Sequence, residues 1–232
     1  MNTKALRFAR PAHAALYAAC AATLTSCGGS FCLGVDGCGG TNTQPNVTLT
    51  GTAATGHALA SATVSAGCAQ GAATALSDGG GNYSITLNAA LPCVLTVTSG
   101  ATTLHSVAFS SGTFNTTPET DLMLVYLAGQ LGTTENGLLT GFSTNATFQQ
   151  ALANQTNVLA AQTAVGANLQ QHYAVTLSVS AFLTTPFIVG QAGVDSDLDA
   201  LATAGAIDAN GMPDPAAIAL MSAAGSARPL GQ

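Results

Sequence analysis

The 232-residue chain has almost no positive charge, and no lysine or arginine occurs between Pro11 and Ala227. Tryptophan is absent, aromatic residues make up 5% of the chain and charged residues 6%. Nucleic acids and anionic phosphate ligands are bound through clustered Lys and Arg, so the shortage of both argues against these ligand classes. The low aromatic content predicts modest cores of Val, Leu, Ile and Ala, which bury less area per residue than aromatic-rich cores.

The N-terminus combines positive charge with an apolar run from Ala14 to Leu24. Three of the four basic residues precede that run: Lys4, Arg7 and Arg10. This order is typical of a secretory signal, and the run is shorter than the roughly 20 residues of a membrane span. Leu24-Thr25-Ser26-Cys27 resembles the lipobox of bacterial lipoproteins. The resemblance implies that residues 1–26 are a signal peptide and that Cys27 becomes the acylated first residue.

The residue after Cys27 bears on the destination of the exported chain. In Gram-negative lipoproteins an Asp at this place resembles the inner-membrane retention signal, whereas this chain has Gly28. We therefore expect a lipid anchor in the cell envelope, in the outer membrane. The alternative is a soluble export signal whose cleavage site falls near a cysteine. Cys20 is a poorer lipidation site, because it lies inside the apolar run and Tyr17 stands where a small or branched residue is expected.

Four cysteines follow the lipobox, and an exported chain meets an oxidising compartment, so their even number predicts disulfides. They are Cys32, Cys38, Cys68 and Cys93. Of the three pairings that four cysteines allow, we favour Cys32–Cys38 with Cys68–Cys93, because each pair lies within one sequence neighbourhood. Neither CxxC nor HxxxH spacing occurs, so we expect no metal site.

Composition and periodicity divide the chain after the signal into three parts. Residues 27–46 are rich in glycine and small polar residues, which is typical of a flexible tether. Residues 47–117 alternate apolar and polar side chains, as in Tyr83-Ser-Ile-Thr-Leu87, with turn residues between the runs. This pattern predicts an all-β sandwich, in which Ser77–Tyr83 forms a glycine-rich reversal leading into a strand. Residues 118–232 have helical periodicity, so the predicted fold class is α+β.

Three segments of the β region resemble the carboxypeptidase regulatory-like domain. They are Val47-Thr48-Leu49-Thr50-Gly51, Ala60-Ser61-Ala62-Thr63-Val64 and Ser77-Asp78-Gly79-Gly80-Gly81-Asn82-Tyr83-Ser84-Ile85. The resemblance implies a transthyretin-like or Ig-like β-sandwich without catalytic residues, used as a spacer or binding module. Leu183–Phe187 followed by Asp195–Leu201 is similar to helical C-terminal regions of bacterial envelope lipoproteins, which implies no activity.

The second half of the chain contains several residue patterns that are typical of helix starts and ends. Thr117-Pro118-Glu119 has the order of an N-cap, a first-turn proline and a first-turn acid, ahead of the apolar run Leu122–Leu127. That run is apolar nearly all round, so we expect a buried helix that packs on the sandwich. Apolar residues at helical spacing predict one long helix from Thr144 to Tyr173, followed by a short extended segment at 175–181. Two further helices are predicted. One begins at Asp195 and ends at Gly205, and the other begins at Asp214-Pro215.

The residues that are candidates for catalysis or metal binding lie in separate predicted elements. The three histidines after the signal, at 57, 105 and 172, fall in a turn, on a strand and at a helix end, which favours structural roles. Asp195, Asp197 and Asp199 have the spacing of the first ligands of a calcium loop, but Ala200 and Ala206 occupy its glycine and glutamate positions. The acid pair Glu119 and Asp121 belongs to a helix start, where acids are explained by the dipole.

No serine lies in a G-x-S-x-G elbow, and S-x-x-K cannot occur after the signal because that part has no lysine. The sequence therefore predicts a non-enzymatic envelope lipoprotein, attached to the membrane through Cys27 and displaying a binding or structural surface. We expect no catalytic residues, no cofactor and no nucleic-acid partner. An envelope protein or glycan is the expected kind of partner. The alternative is an envelope hydrolase acting on glycans or peptides with a site that no motif reveals.

Overall fold

The structure, a computed structural model, describes residues 44–231, so Cys27, Cys32 and Cys38 lie outside the described part. The alternating region forms seven strands: β1 (Asn46–Thr52), β2 (Thr63–Gln70), β3 (Ala72–Leu76), β4 (Asn82–Asn88), β5 (Ala90–Ser99), β6 (Thr102–Ala108) and β7 (Gly112–Thr113). Six helices follow: α1 (Pro118–Gln130), α2 (Glu135–Gly141), α3 (Ala146–Ala153), α4 (Gln155–Tyr173), α5 (Val194–Thr203) and α6 (Pro215–Ser226). The predicted α+β order, strands first and helices second, is confirmed.

The strands form two sheets. One sheet has the order β4-β1-β7, with β1 antiparallel to β4 and parallel to β7. The other has the antiparallel order β3-β2-β5-β6. Side chains of both sheets belong to one buried core, as Leu49 in β1 and Leu95 in β5 illustrate.

The cysteine pairing that we favour for the β region is present. Cys68 in β2 lies directly opposite Cys93 in β5, and the two form a disulfide. Both side chains are buried, on the same face of the second sheet as Leu95 and Val97. The disulfide therefore cross-links the two central strands of this sheet inside the core.

The predicted reversal at Ser77–Tyr83 is also confirmed. Asp78 Oδ1 accepts hydrogen bonds from the backbone N–H groups of Gly80 (2.9 Å) and Asn82 (2.8 Å), and β4 begins at Asn82. Gly81 has a φ of +81°, which a residue with a side chain rarely adopts. These bonds stabilise the ionised carboxyl and lower the pKa of Asp78.

Helix α1 starts as predicted, with Thr117 as N-cap and Pro118 in the first turn. The Thr117 and Thr120 side chains each accept a hydrogen bond from the other's backbone N–H, which completes a capping box. All residues from Pro118 to Gly129 are buried, because α1 packs against β6 on one side and against α4 and α6 on others. The strands and the helices thus share one core, with α1 at its centre.

The prediction of one helix from Thr144 to Tyr173 is wrong. Asn154 has extended backbone angles, ends α3 and caps α4, since its side chain accepts hydrogen bonds from the N–H groups of Thr156 and Asn157. The helix is interrupted at Asn154, although the helical spacing of the apolar residues continues across it. The predicted extended segment at 175–181 forms no strand.

The last two predicted helices are confirmed. In α5, Leu198 and Leu201 are buried and Gly205 follows with a φ of +78°. Asp214 caps α6 and Pro215 occupies its first turn. Among the described residues, no helix has both the length and the apolar character to cross a membrane.

A candidate site at His105, Asp121 and Glu135

Three elements bring one histidine and two carboxylates together. His105 lies on β6, on the face opposite to the one that carries Leu104. Asp121 belongs to the first turns of α1, and Glu135 is the first residue of α2. Both helices pack near the β6 edge of the second sheet, so the two acids meet the histidine there. We call these three residues the His–Asp–Glu group.

Asp121 fixes the histidine. Its Oδ1 accepts a hydrogen bond from the His105 backbone N–H at 2.7 Å and lies 2.8 Å from the ring Nδ1. One residue earlier, the Thr120 hydroxyl donates to the His105 carbonyl oxygen at 2.8 Å. The start of α1 is therefore bound to β6 through both backbone groups of His105, and this fixes the ring with Nδ1 towards α1.

Glu135 is the third member of the group. Its Oε1 lies 3.4 Å from His105 Nδ1, and α2 holds it in place through the Thr134 N-cap. This Oε1 is buried, yet it makes no hydrogen bond with a described residue. The three ligand atoms, His105 Nδ1 and one oxygen of each acid, all lie within 4.8 Å of one another.

The group is partly shielded from water. The exposed fraction of the side chain is 18% for His105, 5% for Asp121 and 20% for Glu135. Burial alone lowers the pKa of His105, but the hydrogen bond to Asp121 and the negative charges of Asp121 and Glu135 outweigh burial and raise it to about 9. Burial raises the pKa of Asp121, and the neighbouring His105 opposes that rise.

A pocket of about 290 Å³ opens beside His105 on the outer face of the second sheet. Hydroxyl groups of Ser65 and Thr96 lie on its floor, in the same cross-strand row as His105. Leu139 and Phe142, in α2 and just after it, form part of its wall. Of the His–Asp–Glu group, His105 is the member that lines this pocket.

The other two histidines after the signal lie apart from this group. His57 is exposed in the loop after β1, and His172 is exposed in the last turn of α4. Each is placed as the sequence predicts. Sequence reasoning missed that His105 meets Asp121 and Glu135, since the three residues belong to no local motif. Glu119 and Asp121 both lie at the helix start, as the sequence predicts, but only Asp121 contacts His105, whereas Glu119 is influenced by the charge of Asp197.

The aspartates of α5 act as backbone acceptors. Asp197 accepts hydrogen bonds from the N–H groups of Ser178 (2.9 Å) and Val179 (3.1 Å), and Asp195 accepts one from Gly190 (2.7 Å). They tie the loop before α5 to the helix start. Within residues 44–231, the only cluster of three or more potential metal ligands is the His–Asp–Glu group, so these aspartates with Asp199 form no such cluster.

Glu119 is a second unusual acid. Its side chain is fully buried in the first turn of α1, and neither carboxyl oxygen has a hydrogen-bond partner among the described residues. Burial raises its pKa well above the usual value, and the negative charge of Asp197 raises it further. The folded protein therefore binds this proton more tightly than the unfolded chain does. The stability that comes from this proton is complete below the unfolded pKa of 4.5 and is lost as the pH rises through the folded pKa.

We therefore expect Glu119→Gln, which mimics the protonated acid, to stabilise the protein at alkaline pH. At pH 8 the gain should be about 1–2 kcal/mol in the free energy of unfolding, or roughly 3–6 °C in Tm. Thermal melts between pH 4.5 and pH 8 measure it. The two proteins should melt alike at pH 4.5 and diverge as the pH rises. A constant difference at all pH values would contradict the account of this acid.

No protein-family model, no curated protein and no solved structure matches this chain.

Proposed function

We propose that this chain is an exported lipoprotein of the bacterial cell envelope, anchored through Cys27 in the outer membrane. In this proposal its folded unit serves as a non-enzymatic binding or structural module. The β region would act as the carboxypeptidase regulatory-like domain that residues 47–117 resemble, with the helices packed behind it. The tether at 27–46 would separate the anchor from the folded unit.

One observation carries the export half of this proposal. The buried Cys68–Cys93 disulfide joins two central strands, and such a structural bond forms and persists in oxidising compartments. The N-terminal signal supplies the route to such a compartment. The lipobox ends at Cys27, whereas residues 44–231 belong to a single compact unit. An anchor at Cys27 would therefore leave that unit intact.

The non-enzymatic half is supported by the surroundings of His105. A hydrolase of the serine type needs a hydroxyl nucleophile within hydrogen-bond reach of its histidine base. In the described residues, the ring of His105 bonds to an aspartate and to no serine or threonine hydroxyl. A serine-type envelope hydrolase is thus the weaker candidate. Cleavage of peptidoglycan or peptide substrates by the purified protein, lost in His105→Gln, would establish it instead.

The lipidation of Cys27 can be tested directly. Cells grown with an alkyne fatty acid should label the wild-type protein, and cell fractionation should place it with the membranes. Cys27→Ser should lose the label and the membrane association, because no acyl chain remains; each buried CH₂ contributes about 0.8 kcal/mol to attachment.

Cys20→Ser is the matched control, since it changes a cysteine seven residues earlier and should keep both the label and the membrane association. Label that persists in Cys27→Ser and disappears in Cys20→Ser would move the anchor to Cys20. Label absent from the wild-type protein would overturn the proposed lipid anchor.

A further inference from the structure

We infer that the His–Asp–Glu group is a binding site for one divalent transition-metal ion, with Zn²⁺ as the best fit. The proposal goes beyond the envelope function, because it assigns the folded unit a specific ligand whatever its location. The ligands are His105 Nδ1 and one carboxylate oxygen each from Asp121 and Glu135. They come from β6, α1 and α2, three elements that the core fixes relative to one another.

The two distances from His105 Nδ1 are close to those of a zinc site. Zinc binds imidazole nitrogen and carboxylate oxygen at about 2.0–2.2 Å, so two ligand atoms of a tetrahedral site lie roughly 3.3–3.6 Å apart. His105 Nδ1 and Glu135 Oε1 are already 3.4 Å apart. Asp121 Oδ1, at 2.8 Å from Nδ1, has to withdraw by about half an ångström. The ion would replace the proton that Nδ1 shares with Asp121.

The unsatisfied oxygen of Glu135 points independently to a ligand. A buried carboxylate oxygen without a hydrogen bond raises the free energy of the folded state, and native structures rarely contain such an atom. Glu135 Oε1 is such an atom, and it faces His105 Nδ1 rather than a backbone donor. A cation between the two acids and the imidazole would satisfy this oxygen and balance the second negative charge.

The ligand set and the pocket define the class of ion. An imidazole nitrogen among the ligands favours Zn²⁺ and neighbouring transition metals over Ca²⁺ and Mg²⁺, which prefer oxygen alone. Three protein ligands leave a fourth position free for water or a solute. The pocket floored by Ser65 and Thr96 lies beside His105, one of the three proposed ligands.

The test is a calorimetric titration of the full mature protein, purified in detergent and stripped of metal with a chelator. We expect one Zn²⁺ per chain and no comparable heat with Mg²⁺ or Ca²⁺. Glu135→Gln should weaken zinc binding by at least tenfold, and His105→Gln by roughly 100-fold or more. Co²⁺ should give visible d–d absorption in the wild-type protein and lose it in both variants.

His57→Gln and His172→Gln are matched controls, because both change exposed histidines outside the group. They should bind zinc like the wild-type protein. Circular dichroism of the metal-free variants checks that they fold, and Glu135→Gln is the milder change because its side chain is 20% exposed. Absence of stoichiometric zinc binding, or binding unaffected by Glu135→Gln and His105→Gln, would overturn the proposal. Binding lost in His57→Gln or His172→Gln would place the site elsewhere and would equally overturn it.

Discussion

Gly225→Ala should destabilise the folded unit by about 3 kcal/mol or more, lowering Tm by roughly 6–12 °C. Helices α1 and α6 touch backbone to backbone at this point. A Cβ added at Gly225 would overlap the carbonyl oxygen of Tyr126, and one added at Gly129 would lie 2.5 Å from the carbonyl oxygen of Ser222. A backbone oxygen cannot rotate away as a side chain can, so the two helices would have to separate. Thermal or urea unfolding of the purified protein measures the loss.

Gly166→Ala is the matched control for that substitution. Gly166 also lies inside a helix, α4, but a Cβ there would meet only a methyl carbon of Leu177 at 3.6 Å, an ordinary contact. Alanine favours helix over glycine by roughly 0.5–1 kcal/mol, so this variant should be as stable as the wild-type protein or slightly more. Equal effects of the two substitutions would mean that α1 and α6 do not approach as closely as described.

Removing the Cys68–Cys93 disulfide should cost about 2–5 kcal/mol in the free energy of unfolding. The bond joins two residues 25 positions apart and lies inside the core between two central strands. The variant to measure is the double change Cys68→Ala with Cys93→Ala, because a single change would leave a buried free thiol. Chemical unfolding under non-reducing conditions gives the difference.

Cys32→Ser with Cys38→Ser is the corresponding control in the tether. Its Tm should stay within about 1 °C of the wild-type value, since the predicted Cys32–Cys38 bond joins residues that precede the described fold. A loss as large as that of the core variant, or a Cys32–Cys68 link in peptide mapping, would show that the tether folds onto the sheets. The predicted pairing in the tether would then be wrong.

Much of the fold could be predicted from local patterns. Alternation in Tyr83–Leu87 marks a strand with one buried face, and the Asp78 turn marks its start. The Thr117 cap and the proline after it mark the first residue of α1. These features are encoded within a few neighbouring residues, so the sequence alone reveals them. The break at Asn154 escaped because α3 and α4 continue the same apolar spacing across it, and only its capping side chain distinguishes it.

The candidate site could not be predicted in this way. His105 was placed on a strand and Asp121 in a first helical turn, and both placements are confirmed. Their meeting depends on how α1 crosses β6, and the position of Glu135 depends on where α2 begins after α1 ends. Such relations between elements leave no fixed spacing in the sequence. The sequence also did not predict the burial of Glu119, because acids in the first turn of a helix are usually exposed.

The most direct test of the central claim is the intact mass of the mature protein extracted from cell membranes. The proposal predicts a polypeptide that begins at Cys27, with the added mass of a diacylglyceryl group and an amide-linked acyl chain. Alkaline hydrolysis should release the ester-linked acyl chains and reduce the mass accordingly. A soluble, unacylated polypeptide, or one that begins at another residue, would contradict the claim that this chain is a lipoprotein of the cell envelope.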